Sequence, residues 1–149
     1  MNRRRQYCSL SVGDLLLGVG VGEIQEVIRG SSITPVPLAH PAIRGLINLR
    51  GQIVTAIDLR RRLGLEPLDA DREATVMVLG AADEAMALVV DSVGDVVEVD
   101  ISSFETPPET LRGEARRMIE GAYKLERSLM LILDLVAVLD LTRDGRGPT

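Results

Sequence analysis

Four aspartates, Asp58, Asp91, Asp95 and Asp134, carry the carboxyl groups that an acid–base pair would need. Each closes an apolar run or a turn, where a short acceptor side chain caps a helix or fixes the turn. Arg60, Arg61 and Arg62 offer an anion site, yet on a short helix they are expected to form a solvated basic face. His40 is the only histidine and Cys8 the only cysteine, so a multi-histidine metal site or a Cys–His pair has little to build on. Cys8 is expected as a small buried hydrophobe, consistent with a reducing compartment, and His40, beside Pro41, as a structural or solvated loop residue. Gly18, Gly20 and Gly22 are spaced G-x-G-x-G, and Glu23 stands where the dinucleotide fingerprint needs its third glycine. Close strand packing explains them better. There is no nucleophile elbow, zinc motif or phosphate loop. These residues argue against an enzyme, a metal or a cofactor, and leave a binding module. Within it Arg50, between Leu49 and Gly51, stands out: its rigid fork of donors on a glycine turn can reach a carboxylate, although a plain surface arginine would look the same.

Arg50 belongs to IRGLINLRGQIVTAIDLRRRLGL, Ile43 to Leu65, the stretch around which the chain is organised. Gly45 and Gly51 free the backbone on either side of Asn48 and Arg50. Ile53 to Ile57 has the length and β-branched content of one buried strand, Asp58 is placed to cap a helix through Leu59–Leu63, and Gly64 to end it. The pattern returns 76 residues later as IEGAYKLERSLMLILDLVAVLDL, Ile119 to Leu141. Ile43, Gly45, Leu49, Asp58, Leu59, Leu63 and Leu65 meet identical residues at 119, 121, 125, 134, 135, 139 and 141. Two similar subdomains, each with a turn–strand–helix element, are the expected cause. Their surfaces differ, because Arg50 and Arg60–Arg62 face Glu126 and Val136-Ala137-Val138 in the second copy.

At 149 residues the chain is one domain, or two small subdomains sharing an interface. A net charge of −5 disfavours nucleic acid, and two Tyr, one Phe and no Trp give bases or flat cofactors little to stack on. The start has basic residues but no apolar signal segment, and no run reaches the length of a membrane span. A soluble, cytoplasmic protein is expected. Gln6–Val12 and Leu15–Val21 form a hairpin about Gly13-Asp14. Glu23–Arg29 has helical spacing and is expected as a short helix or turn, followed by a Ser/Pro loop to Pro41 and a helical turn near Ala42–Leu46. Glu66–Glu73 reads as an acidic connector, then Ala74–Gly80 and Ala85–Val90 as a second hairpin around 81–84. Ser102–Glu105 fits a capping box, residues 106–117 a polar loop, and 143–149 a frayed tail. Many short strands with few long helices predict a mostly β protein built of two small barrels.

Four segments, EIQEVIR (Glu23–Arg29), IRGLINLRGQIVTAIDLR (Ile43–Arg60), LVVDSVGDVVEV (Leu88–Val99) and GAYKLERSLMLILDLVAVL (Gly121–Leu139), resemble the CheW family of bacterial chemotaxis coupling proteins. The likeness runs in order over about residues 6 to 141, and NLRG followed by IDLR is its most specific part. The resemblance implies a single domain over 1–149 made of two intertwined five-stranded SH3-like barrels with short helices. It also implies a non-enzymatic cytoplasmic adaptor, recruited to membrane-associated arrays by its partners. Those partners would be the regulatory domain of the histidine kinase CheA and the cytoplasmic tips of methyl-accepting chemoreceptors, with weak self-association in arrays and no membrane insertion. Carried over by motif, Ile24, Glu26 and Val27 would contact the kinase. Arg50, with Gly45, Asn48 and Gly51, would lie at a receptor-binding groove between the barrels; Val89 and Val90 would line it, with Asp91 and Gly94 at its rim. Two departures are Leu17 where the family commonly has an aromatic, and Thr55 in place of a frequent proline. The alternatives are an adaptor of a non-flagellar chemosensory system and a small-molecule-binding or enzymatic β-barrel; an RNA-binding barrel and a kinase fragment are disfavoured.

Overall fold

The computed structural model describes residues 3–66, 74–80 and 85–141. The expectations for the connector after Glu66, the turn at 81–84 and the tail at 143–149 fall largely or wholly outside these residues. Ten strands form two five-stranded sheets. In chain order they are β1 (Arg4–Val12), β2 (Leu15–Gly20), β3 (Ile24–Ser31), β4 (Ile43–Leu49), β5 (Gln52–Asp58), β6 (Ala74–Leu79), β7 (Met86–Val90), β8 (Ser92–Asp100), β9 (Ile119–Lys124) and β10 (Leu129–Leu133). Three short α-helices stand among the described residues, α1 (Leu59–Arg62), α2 (Gly113–Met118) and α3 (Leu135–Leu139). Among the described residues no helix is long and apolar enough to cross a membrane.

One sheet, barrel A, has the order β8-β1-β2-β10-β9; the other, barrel B, has the order β3-β6-β7-β5-β4. The two orders become identical when β3 to β7 are matched in turn with β8, β9, β10, β1 and β2. Barrel B is therefore one continuous run of chain, whereas barrel A is completed by the first hairpin. Each contains one parallel pairing, β5 with β7 and β10 with β2, and the rest are antiparallel. The repeat found in the sequence is the element β4–β5–α1 and its counterpart β9–β10–α3.

The repeated identities have local physical causes. Asp58 and Asp134 cap α1 and α3 by accepting from the Arg61 and Ala137 amides. Their own amides donate to the carbonyls of Ala42 and Met118, again 76 residues apart. Gly45 and Gly121 sit where each barrel closes on itself. Beside them, Leu46 exchanges backbone hydrogen bonds with Thr34 at 2.8 and 2.9 Å, and Ala122 with Glu105 at 2.9 Å each way. A Cβ on Gly45 would lie 2.2 Å from the Thr34 carbonyl oxygen; one on Gly121 would lie 2.6 Å from that of Glu105.

Three apolar cores follow from strand alternation. Ile47, Val54, Ala56, Val76, Val78, Ala87 and Val89 fill barrel B. Tyr7, Val99, Tyr123, Met130 and Ile132 fill barrel A. Between the barrels lies the largest core, with Leu10, Leu17, Ile57, Leu59, Met77, Leu88, Leu131 and Val138 among its members. Strands such as β7 and β10 are buried on both faces, which is why their sequences run apolar without alternation. Cys8 is buried there as expected, and burial pushes its thiol pKa up.

Several expectations are corrected. Residues 24–31 are a strand, with only a 3₁₀ turn at Val21–Glu23 before it; ladder bonds to β6 override the helical spacing. Ile43–Leu46 is strand β4, not a helical turn. Asp100, rather than Ser102, caps the turn at Ile101–Ser103. The expected polar loop contains α2, whose Ala115 and Met118 are buried one turn apart. Arg62 is only 3 % exposed, so the basic triplet is not one solvated face.

Barrel A holds an aromatic cluster in which the Tyr7 and Tyr123 ring centroids are 5.6 Å apart and Phe104 meets Tyr123 edge-on at 5.3 Å. Burial first, then a hydrogen bond with Tyr7, push the Tyr123 phenol up to about 12. The native state thus keeps a proton that the unfolded chain releases near pH ~10. This contribution is fully present below that pH and is lost as pH rises toward the folded value, at ~1.4 kcal/mol per unit. Urea unfolding at pH 9 to 12 is expected to show this decline, and Tyr123→Phe to remove that part of the slope.

Candidate functional site

The NLRG segment is the tip of the β4–β5 hairpin. Leu49 faces Gln52 in the ladder, leaving Arg50 and Gly51 as a two-residue loop. Both have positive φ, 52° and 86°, the left-handed pair that tight hairpins demand. The Asn48 side-chain oxygen accepts from the Gly51 amide at 3.0 Å and fixes the loop. Asn48 and Gly51 therefore build the turn that holds Arg50 outward, with 68 % of its side chain exposed. An arginine kept in this conformation at a tip is well placed as a contact residue.

From that tip the guanidinium forms an ion pair with Glu26 on β3. Two candidates assigned to different partners are thus each other's contact. Val27, next on β3, points outward, whereas Ile24 packs against the central core. Ile53, paired with Asn48 at the hairpin, is 57 % exposed. The sequence reading placed Ile53 inside a buried strand and missed it; its position beside a two-residue turn, where the partner strand carries an exposed Asn, is the signal that marks it.

The remaining candidates lie elsewhere. Val89 and Val90 are both buried: Val89 fills barrel B and Val90 joins the central core. The expectation that their side chains line a groove is corrected accordingly, since successive residues of a strand enclosed on both sides point into two cores. Gly45 is buried at the closure of barrel B. Gly94 packs over the Ser9 hydroxyl, which donates to the Asp95 carbonyl at 2.8 Å.

Asp91 forms a second polar site, at the seam between the barrels. Arg60 donates to both of its oxygens, at 2.8 Å from Nε and 2.6 Å from Nη2, a bidentate pair. The hydrogen bond to Asp91 raises the Arg60 pKa, so the guanidinium is firmly held charged. Asp91 also accepts from the Gly13 amide at 2.8 Å, and Arg60 donates to the Glu66 carbonyl at 2.8 Å. One carboxylate so joins α1, the β1–β2 turn and the β7–β8 junction. Sequence reasoning assigned Arg60 to solvent, because sequence separation hid its partner 31 residues away.

Arg62 makes the other link across the seam. Its Nε donates to the Val138 carbonyl at 2.9 Å and its Nη2 to the Ala137 carbonyl at 2.7 Å, at the end of α3. Val138 is the residue that corresponds to Arg62 in the repeat, so the two copies meet at equivalent points. His40 is structural, its Nδ1 accepting from the Ala42 amide at 2.9 Å.

Among the described residues no three His, Cys, Asp or Glu side chains are grouped to hold a metal ion. The described barrel interiors are packed with side chains. What the surface offers is a fixed charged tip, an edge strand and exposed aliphatic residues, which suit protein contacts.

Comparison with known proteins places this geometry. A family model described as the CheW-like domain matches residues 6–143. The chemotaxis protein CheW of Bacillus subtilis is 34 % identical over 122 residues, covering 82 % of this chain and 78 % of that protein. CheW of Treponema pallidum is 24 % identical over 140 residues, covering 87 % and 79 %. The crystal structure of the scaffolding protein TtCheW from Thermoanaerobacter tengcongensis is similar with a TM-score of 0.77 at 28 % identity, covering 87 % of this chain and 88 % of that one.

Proposed function

The chain belongs to the CheW-like family of chemotaxis scaffold proteins, which are not enzymes, and from that premise we propose that it couples methyl-accepting chemoreceptors to the histidine kinase CheA. The observation that carries this proposal is Arg50, held at a hairpin tip in a left-handed conformation and joined to Glu26 on the neighbouring edge strand. An exposed edge with an adjoining rigid cation is a surface for a protein partner: the strand offers backbone groups and the guanidinium fixes orientation. The kinase's regulatory domain binds at Ile24, Glu26 and Val27, and a receptor tip at Arg50 and the seam near Asp91. The protein works in the cytoplasm, is drawn to membrane-associated arrays by these partners, and associates weakly with its own copies there.

The test is a pull-down with a kinase regulatory domain and a receptor signalling tip from the same genome. Arg50→Ala is expected to weaken receptor capture and Glu26→Ala kinase capture, each by about 30-fold if the residue carries ~2 kcal/mol of the interface. Circular dichroism should show both variants folded, since both side chains sit at the surface. Failure of the unmodified protein to capture either partner, across every paralogue in that genome, would sink the coupling proposal.

A further inference from the structure

The two halves of the chain treat one position differently. Thr55 faces Met86 in the β5–β7 ladder and Leu131 faces Leu17 in the β10–β2 ladder. Thr55 and Leu131 are repeat counterparts, so Met86 corresponds to Leu17 and, counting forward, Asp91 corresponds to Gly22. On the helices, Arg60 corresponds to Val136. The bidentate Arg60–Asp91 pair at the seam is therefore replaced, at the equivalent positions of the other half, by a valine and a glycine.

Among the described residues nothing else fills that place. Val136 is 82 % exposed, and a Cβ built on Gly22 would meet no atom within 4 Å. A hollow of about 230 Å³ opens beside Val136; ten residues line it, among them Arg5, Gly20, Glu23, Glu120, Asp134 and Val136. Three of the ten lining residues are carboxylates and one is a guanidinium, which lies 5.5 Å over the Tyr7 ring. The Glu120 carboxyl is held above its ordinary pKa, by burial first and then by the Asp134 charge, with Arg5 opposing. The hollow thus carries negative charge that its own cation does not fully offset, next to an uncovered aliphatic side chain.

We propose that this hollow on barrel A accepts, from a partner protein, an arginine side chain flanked by an aliphatic residue. The partner supplies across an interface the guanidinium that Arg60 supplies at the seam. The aliphatic neighbour covers Val136, and the arginine lies among Glu23, Glu120 and Asp134. The site uses different residues from the Glu26–Arg50 contact and stands independently of the coupling role.

Two-dimensional ¹H–¹⁵N NMR of the whole protein tests this with N-acetyl-Leu-Arg-amide as the probe and N-acetyl-Leu-Gln-amide as its control. Saturable shifts at the amides of Gly22, Glu23, Glu120 and Val136 are expected with the arginine peptide at millimolar concentration, and no such shifts with the control. The double substitution Gly22→Asp/Val136→Arg, which rebuilds the equivalent of the Arg60–Asp91 pair in place, is expected to abolish them. Equal shifts from both peptides, shifts that survive the double substitution, or no shifts at all would overturn the proposal. So would movement of the same amides on diluting the protein alone, which would make a second copy the occupant.

Discussion

Gly45→Ala is expected to destabilise the protein by at least ~3 kcal/mol, within the range of severe backbone and packing defects. The added methyl would lie 2.2 Å from the Thr34 oxygen and 2.7 Å from its carbonyl carbon, and these are backbone atoms that cannot rotate away. Relief requires Thr34 to retreat, which breaks the two hydrogen bonds that close barrel B. Gly51→Ala is the control, because its φ of 86° is also unfavourable for alanine but no atom lies within 4 Å of the new methyl. Strain alone should cost about 1–2 kcal/mol there. Urea unfolding monitored by circular dichroism separates the two, and equal costs would show that closure at Thr34 is not what glycine serves.

Arg62→Met is expected to lower stability by about 3 kcal/mol. Methionine keeps much of the aliphatic stem but strips the buried Val138 carbonyl of its guanidinium donor and leaves the Ala137 carbonyl only the Asp140 amide at 3.3 Å, and a buried acceptor left unpaired costs ~1–3 kcal/mol. An opposing effect is real: removing a buried charge also removes its desolvation cost, and such replacements are sometimes neutral. The balance should fall on the destabilising side, because the Val138 carbonyl stays buried at a helix end and the Ala137 carbonyl loses the shorter of its two bonds. Arg62→Lys should recover only part of the loss, since one ammonium cannot reproduce the fork. Hydrogen exchange gives the local readout, with amides of α3 and α1 losing protection together. A methionine variant as stable as the parent would show that the clamp is dispensable.

How much of this was visible beforehand depends on whether the cause was local. The β4–β5–α1 element and its repeat were legible because glycine turns, aspartate caps and apolar strands write themselves into adjacent residues. The first hairpin around Gly13-Asp14 was legible for the same reason. Residues 24–31 were not: Ile24, Val27 and Ile28 fit a helix face, and only pairing with β6, some fifty residues on, makes them a strand. Arg60 and Arg62 looked alike in a basic triplet, yet one meets Asp91 and the other the end of α3. Val89 and Val90 looked like the lining of a groove because nothing in their own segment states that both faces of β7 are covered. The Glu26–Arg50 pair needed the barrel closed before its two members could meet.

The permuted strand order also governs the sequence of assembly during synthesis. Strands β3 to β7 emerge as one run and can close barrel B as soon as residue 90 is clear of the ribosome. The β1–β2 hairpin, made before them, must wait for β8 and β10 before its outer edges are paired. Until then it presents unpaired backbone and the apolar side chains of Leu10, Val12 and Leu17, which are fully buried in the finished protein. A hairpin made before barrel B is thus protected after it, and the interval between β2 and β10 is when this protein most needs shielding from association.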